Sequence, residues 1–201
     1  MTSSPALDLP CPAEFNGRHG EPGPQDGRRH HPPGGCLEPD PAIRQKHDSK
    51  IGSWMPHITL IYPFLPKSRF GPSAKELVSA CKFVEPFDIE LAQFEQFGRA
   101  KGHYTLWRAP DPDEPIKDLH AALCPIVHED AQDLDHAIWH FKPHLSVGQA
   151  RGMGNTVKLI EELQAGWTPI RFRVDSVHLI WRNDWPDDVF RVDRTLPLQG
   201  G

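Results

Sequence analysis

The sequence predicts an α+β fold, and three observations carry that prediction. The tetrad His57-Ile58-Thr59-Leu60 recurs as His144-Leu145-Ser146-Val147, each copy preceded by a proline, Pro56 or Pro143, in surroundings that read as β-strand. Segments with helical apolar spacing stand between the strand-like runs. The chain also ends in two successive strand-like runs with no helix between them, which a strictly alternating parallel α/β arrangement does not produce.

Taken in order, a short helix is expected after Asp40-Pro41, with proline in its first turn, through Ala42 to His47. The first tetrad forms a strand over about 56 to 62, closed by Pro63 and Pro66. Ser73 reads as the N-cap of a helix carrying Leu77, Val78, Ala80, Cys81 and Val84. Phe87-Asp88-Ile89-Glu90-Leu91 alternates as a strand. Tyr104-Thr105-Leu106-Trp107 is its neighbour across a turn at 97–102. A helix over Pro115 to about His128 places Ile116, Leu119, Leu123 and Val127 on one face. The second tetrad strand spans Pro143 to Gln149, and a helix runs from Asn155 through Leu163 to near Gly166. The closing strands are expected over Ile170 to Trp181, read as one long run, and Val189 to Leu198.

In a strand the side chains alternate faces, so each tetrad projects its imidazole and its hydroxyl to one side and its two apolar residues into the core. Two such tetrads supply what an in-line displacement at phosphorus needs without a metal. One histidine takes a proton from the nucleophile, the other gives one to the leaving oxygen, and Thr59 and Ser146 hold phosphoryl oxygens. The alternative is that both histidines are core or strand-edge residues. A given histidine opens an apolar–Ser/Thr–apolar triplet in roughly 2% of cases. Two copies among 12 histidines, both after proline, favour a built pair.

The tetrads, together with Ile43-Arg44-Gln45-Lys46-His47-Asp48, the run from Trp54-Met55-Pro56 to Tyr62-Pro63-Phe64, and Pro143 to Gln149, resemble the signatures of the 2H phosphoesterase superfamily. That superfamily includes 2′-5′ RNA ligase-like proteins and cyclic nucleotide phosphodiesterases. The resemblance covers about residues 41 to 198. It implies a duplicated two-lobe fold with a central cleft between two antiparallel sheets flanked by helices. The separation of the histidines, 87 residues, suits one motif per lobe. By the same resemblance His57 is the proton donor and His144 the acceptor, although the residues alone leave that assignment open. Members of this fold usually begin with an apolar strand, for which only Pro5-Ala6-Leu7-Asp8-Leu9-Pro10 is available. It is short and bounded by prolines. Either a long insertion interrupts it, or the strand is missing and a sheet edge lies open.

Composition sets the remaining expectations. Residues 1–40 are rich in Pro, Gly, Arg and His and read as a disordered tail, dispensable for stability, leaving 41–201 as the domain. No apolar run suits a membrane helix and no secretory leader is evident, so a monomer of the cytoplasm or nucleus is expected. Cys11, Cys36, Cys81 and Cys124 lack paired spacing and read as thiols. A net charge of −5 argues against binding long duplex nucleic acid. The expected partner is a nucleotide or an RNA terminus bearing a cyclic phosphate, with no cofactor and no metal.

Tyr62, Tyr104 and Trp107, with Trp54 and Trp181, are candidates for a base-stacking wall, against the ordinary role of such aromatics in a core. Arg108 and Arg182, at the ends of expected strands, are candidates for phosphate contact, against the alternative of surface salt bridging. His136, His140 and His144 recur every four residues, as helix-borne metal ligands would, but Pro143 interrupts that helix. The reaction expected is ring opening of a cyclic phosphodiester, or reversible joining of a 2′,3′-cyclic phosphate RNA end to a 5′-hydroxyl. Its rivals are a catalytically silent nucleotide-binding module and a metal-dependent hydrolase built on the His136/His140 segment.

Overall fold

A computed structural model describes residues 4–10, 41–128, 130–183 and 189–201. Among these, eight strands form one sheet in which every neighbouring pair is antiparallel, in the order β6-β3-β4-β5-β2-β1-β7-β8. The strands are β1 (Ser4–Pro10), β2 (His57–Ile61), β3 (Phe87–Arg99), β4 (His103–Asp111), β5 (Leu145–Arg151), β6 (Ile170–Val174), β7 (Ser176–Arg182) and β8 (Arg191–Pro197). The helices are α1 (Pro41–His47), α2 (Phe70–Lys82), α3 (Glu114–Leu123), α4 (Ala131–His140) and α5 (Met153–Ala165). The α+β class holds. The expectation of two sheets is corrected to one, because β2 and β5 are joined at Ile58 and Leu145. Each tetrad strand sits at the inner margin of four strands, β8-β7-β1-β2 on one side and β5-β4-β3-β6 on the other.

β1 overturns the reading of residues 1–40 as a single disordered tail. Residues 4–10 are an interior strand between β2 and β7, with Ala6, Leu7 and Leu9 buried. The first of the two alternatives above is therefore the observed one: a strand separated from the next element by a long intervening segment. The other residues of that segment lie outside the described residues, as do Cys11 and Cys36.

Several boundaries also shift. α2 starts ahead of Ser73, which is buried inside it, because Phe70, Ala74, Leu77 and Cys81 already form the apolar stripe. β3 runs on to Arg99 instead of stopping at Leu91, leaving a tight turn at Ala100–Gly102, where Lys101 and Gly102 adopt positive φ. α3 ends at Leu123, where a 3-10 turn containing Pro125 follows. The run from 170 to 181 is two strands. β6 pairs with β3 near one margin of the sheet, and β7 lies between β1 and β8 near the other. The sequence carries the sign of that break: buried positions Ile170 and Val174 are even-numbered, whereas β7 begins on odd ones, Val177 and Leu179, ahead of the register shift that buries Ile180. Cys81 and Cys124 are buried free thiols, both pushed up to about 11 by burial. No described helix is long and apolar enough to cross a membrane.

Candidate active site

The two tetrads meet in the middle of the sheet. Ile58 and Leu145 are cross-strand partners with their side chains in the core, 1% and 0% exposed. An antiparallel pair at that position sets His57 level with Ser146 and Thr59 level with His144. Alternation turns all four to the opposite face, and all four are partly buried. Two imidazoles and two hydroxyls thus form a square on one surface, each imidazole beside a hydroxyl from the other strand.

Both histidines are held in the same way. His57 Nδ1 lies 2.5 Å from the Met55 carbonyl oxygen, and His144 Nδ1 lies 2.8 Å from that of Lys142. A carbonyl can only accept, so each Nδ1 carries the proton and donates it. In the neutral ring Nε2 is then the proton-accepting nitrogen. Pro56 and Pro143 set this up: the residue before a proline is confined to extended conformations, which fixes the direction of the carbonyl that the imidazole reaches.

The environments differ. The Trp54 ring stacks on His57, centroids 4.8 Å apart and planes 11° from parallel. Phe97 and Trp107 meet the His144 ring at steep angles, at 4.9 and 5.7 Å. Burial pushes His57 down to about 4, with the charges of Arg44 and His144 adding to the effect and the Met55 bond and Asp48 opposing it. Burial also lowers His144, aided by Arg99 and Lys142 and opposed by its bond to the Lys142 carbonyl. At neutral pH the free protein therefore carries two neutral imidazoles in a field of cations.

The other sequence candidates divide. Trp107 pairs with Ser146 and packs beside His144, but it is 0% exposed, so it forms the floor beneath the histidine instead of a surface on which a base could stack. Tyr104 is cross-strand to Gly98, one residue beyond Phe97, and so faces away from the square. Tyr62 is 49% exposed beyond the end of β2, its ring edge-on to Trp54 at 6.4 Å. Arg108 is level with Leu145 and points into the interior, its guanidinium 3.3 Å from the Trp167 ring centroid, and is not placed for phosphate contact. Arg182 lies over the rings of Trp54 and Phe190.

His136 and His140 stack on each other on α4, centroids 4.2 Å apart, with His140 Nδ1–H donating to the His136 carbonyl. Among the described residues no three His, Cys, Asp or Glu side chains converge as metal ligands. Sequence reasoning assigned no role to Arg44, Asp48 and Gln149, although the first two stand four apart on a short helix. Both are buried and paired with each other, and Gln149 reaches across to Asp48 from β5.

The model of the 2′-5′ RNA ligase superfamily matches residues 38–185, most of the chain and both tetrads. The chain belongs to that superfamily. Among solved structures, TT0787 of Thermus thermophilus is similar over 80% of this chain and 91% of its own, with TM-score 0.54 and 18% identity. Escherichia coli LigT in its apo form is similar over 99% of both chains, with TM-score 0.53 and 13% identity. At such identities the likeness is one of fold. None of the curated proteins matches the chain.

Proposed function

We propose that this superfamily member is a metal-independent phosphoesterase acting on cyclic phosphodiesters, 2′,3′-cyclic phosphate nucleotides or RNA ends, with reversible 2′-5′ ligation open to the same apparatus. The observation that carries the reading is the square of His57, Thr59, His144 and Ser146 built around the Ile58–Leu145 pair. A phosphoryl group centred on it has a hydroxyl donor on either side for its non-bridging oxygens. It also has an imidazole Nε2 at either end of the line joining attacking and leaving oxygens. One neutral imidazole takes the proton of water or of a ribose hydroxyl. The other, once protonated, gives a proton to the departing ribose oxygen, and in the reverse direction the roles exchange.

Neither imidazole holds that proton beforehand at neutral pH, since burial and neighbouring cations depress both. The substrate supplies the remedy, because a phosphate anion within a few ångströms favours the imidazolium and raises its pKa. Family resemblance makes His57 the donor and His144 the acceptor. The test is turnover of a panel of 2′,3′-cyclic mononucleotides and 2′-5′-linked oligonucleotides in the presence of a strong chelator, for the parent protein and for His57→Ala and His144→Ala. Chelator-resistant ring opening lost in both variants supports the reading. Turnover in either well-folded variant at the parent rate overturns it.

A further inference from the structure

His57 depends on a chain of contacts that begins on the other tetrad strand. Gln149 of β5, three residues past Ser146, donates from Nε2 to Asp48 Oδ1 at 3.1 Å and accepts at Oε1 from the Ser49 backbone N–H and hydroxyl, at 2.9 and 2.8 Å. Asp48 accepts in addition from the Lys50 N–H at 2.9 Å and from Arg44, Nε at 2.9 Å and the NH2 group at 2.8 Å. Burial works to raise the Asp48 carboxyl. The donors from Gln149, Lys50 and Arg44 outweigh it and hold the carboxyl below its ordinary value, as the anion.

The same Arg44 NH2 group donates to the Trp54 carbonyl at 2.8 Å. The next carbonyl along the chain, that of Met55, is the one that receives the His57 Nδ1–H. The ring of Trp54 is the one stacked on His57. Arg44 therefore grips the segment that touches His57 twice, once through a carbonyl and once through an aromatic face.

We propose that Arg44 is a positioning residue for His57: braced by Asp48 and Gln149, it fixes the Trp54–Met55 segment and through it the tautomer and plane of the His57 ring. A buried guanidinium is suited to this task because its planar fork serves a carboxylate and a carbonyl at once, which an ammonium cannot do with the same geometry. The ion pair is nearly buried, its side chains 6% and 5% exposed, so it is costly to break. His144 has no part in this chain: its Nδ1 is held by Lys142, whose ammonium pairs with Glu95 at 3.0 Å. The proposal rests on the reading of His57 as a proton-transfer group, but its structural half can be tested without any substrate.

The experiment is nitrogen-15 imidazole NMR of the full chain across pH, comparing the parent with Arg44→Lys, which keeps the charge and loses the fork. In the parent, His57 and His144 are expected to show the Nδ1–H form above neutrality. In Arg44→Lys the His57 signals are expected to move toward a mixture of tautomers, with His144 unmoved. Turnover of a 2′,3′-cyclic nucleotide is expected to fall on the order of 10–100-fold in kcat, with KM changed by less than about threefold. If Arg44→Lys does not fold, Gln149→Ala removes one brace from Asp48 and is expected to shift the same His57 signals in the same direction. Unchanged His57 signals in a folded Arg44→Lys or Gln149→Ala protein overturn the proposal. A parent protein without turnover but with the His57 shifts would sink the catalytic reading and leave the positioning role standing.

Discussion

Ile58 and Leu145 pair across the join of β2 and β5, and the four side chains of the candidate site flank that one pair. The site is thus a property of register. A slip of one residue in either strand would turn an imidazole and a hydroxyl into the core and two apolar side chains outward. Both members of the pair are buried, and that fixes the register.

The tetrads are expected to behave as a unit. On the proposed function, His57→Ala and His144→Ala would each remove a proton-transfer group and are expected to lower turnover of a 2′,3′-cyclic nucleotide on the order of 10²–10⁴-fold. The double variant is expected to be little worse than the worse single one, because groups acting together are not additive. On the same proposal, Thr59→Ala and Ser146→Ala would each remove one phosphate-directed hydrogen bond and are expected to cost about 10–10³-fold. Steady-state kinetics on proteins with parent-like circular dichroism decides this, and full activity in a tetrad-histidine variant defeats the assignment.

Residues 4–10 are expected to be essential to the fold. Without β1, β2 keeps β5 at Ile58 as its one sheet partner among the described strands, and β7 loses an interior neighbour. Leu7→Ala and Leu9→Ala, at positions 0% and 1% exposed, are each expected to cost about 2–5 kcal/mol in urea denaturation. A chain beginning at residue 41 is expected to be insoluble or unfolded. A cooperative, parent-like denaturation curve for that shortened chain would show β1 to be dispensable.

What was legible in the sequence follows from periodicity. The tetrads, α1, α5 and β8 announce themselves by alternation, by helical spacing or by a terminating glycine, all of them local signals. β1 does not. Its seven residues take their stability from partners at 57–61 and 178–182, far along the chain, and local composition around them points the other way. α4 carried a local signal that went unread: Leu134, Ala137 and Ile138 stand at helical spacing, and the first two pack against the core. In the site, alternation put His and Thr or Ser on one face, but it could not say that Trp107 would be covered or that Tyr104 would lie on the reverse face. Arg44, Asp48 and Gln149 left only the weak signal of charged residues spaced four apart, because their partnership spans about half the chain.

Gly148 is expected to tolerate no side chain. A Cβ there would lie 2.7 Å from the His47 Cβ and 2.8 Å from the His47 carbonyl oxygen, so α1 and β5 approach each other through the missing side chain. Gly148→Ala is expected to destabilise by about 1–3 kcal/mol and to disturb Asp48 and its partners. Gly98→Ala is the control, since its nearest neighbour would be the Tyr104 ring at an ordinary 3.8 Å. Equal melting temperatures for the two variants would refute the close-packing argument.

Stability is expected to fall as pH drops from about 7 toward 4. His57 and His120 sit at about 4 in the fold, chiefly through burial, and His47, His144 and His178 are also lowered. Between those values and the unfolded value near 6.5, the unfolded chain binds more protons, so acid favours it. The stabilisation is complete above about pH 7 and is lost progressively as pH falls through that window, on the order of 3 kcal/mol each for His57 and His120. Urea midpoints at several pH values measure it. A midpoint unchanged between pH 7.5 and 4.5 would contradict these depressed values.

Anion binding is expected to be coupled to proton uptake. With both imidazoles neutral in the free protein at pH 7, the proposed mechanism requires that the acid for leaving-group departure arrive with the substrate. A phosphate oxygen close to an imidazolium raises its pKa by about 1–3 units, and the upper part of that range carries His57 from about 4 to where it is partly protonated near neutrality. Titration with a 2′- or 3′-nucleoside monophosphate, followed calorimetrically in buffers of different ionisation enthalpy, is expected to show uptake of up to about one proton per ligand. That uptake should grow as pH falls from 8 to 6 and shrink in His57→Ala. The same coupling sets the rate profile. Activity is expected to be bell-shaped with its maximum on the mildly acidic side of neutrality, because the acidic limb belongs to the base that must stay neutral and the alkaline limb to an imidazolium that exists only with the anion bound. Tight binding without proton uptake, alongside undiminished turnover at pH 8, would mean that the leaving oxygen receives its proton from something other than a histidine.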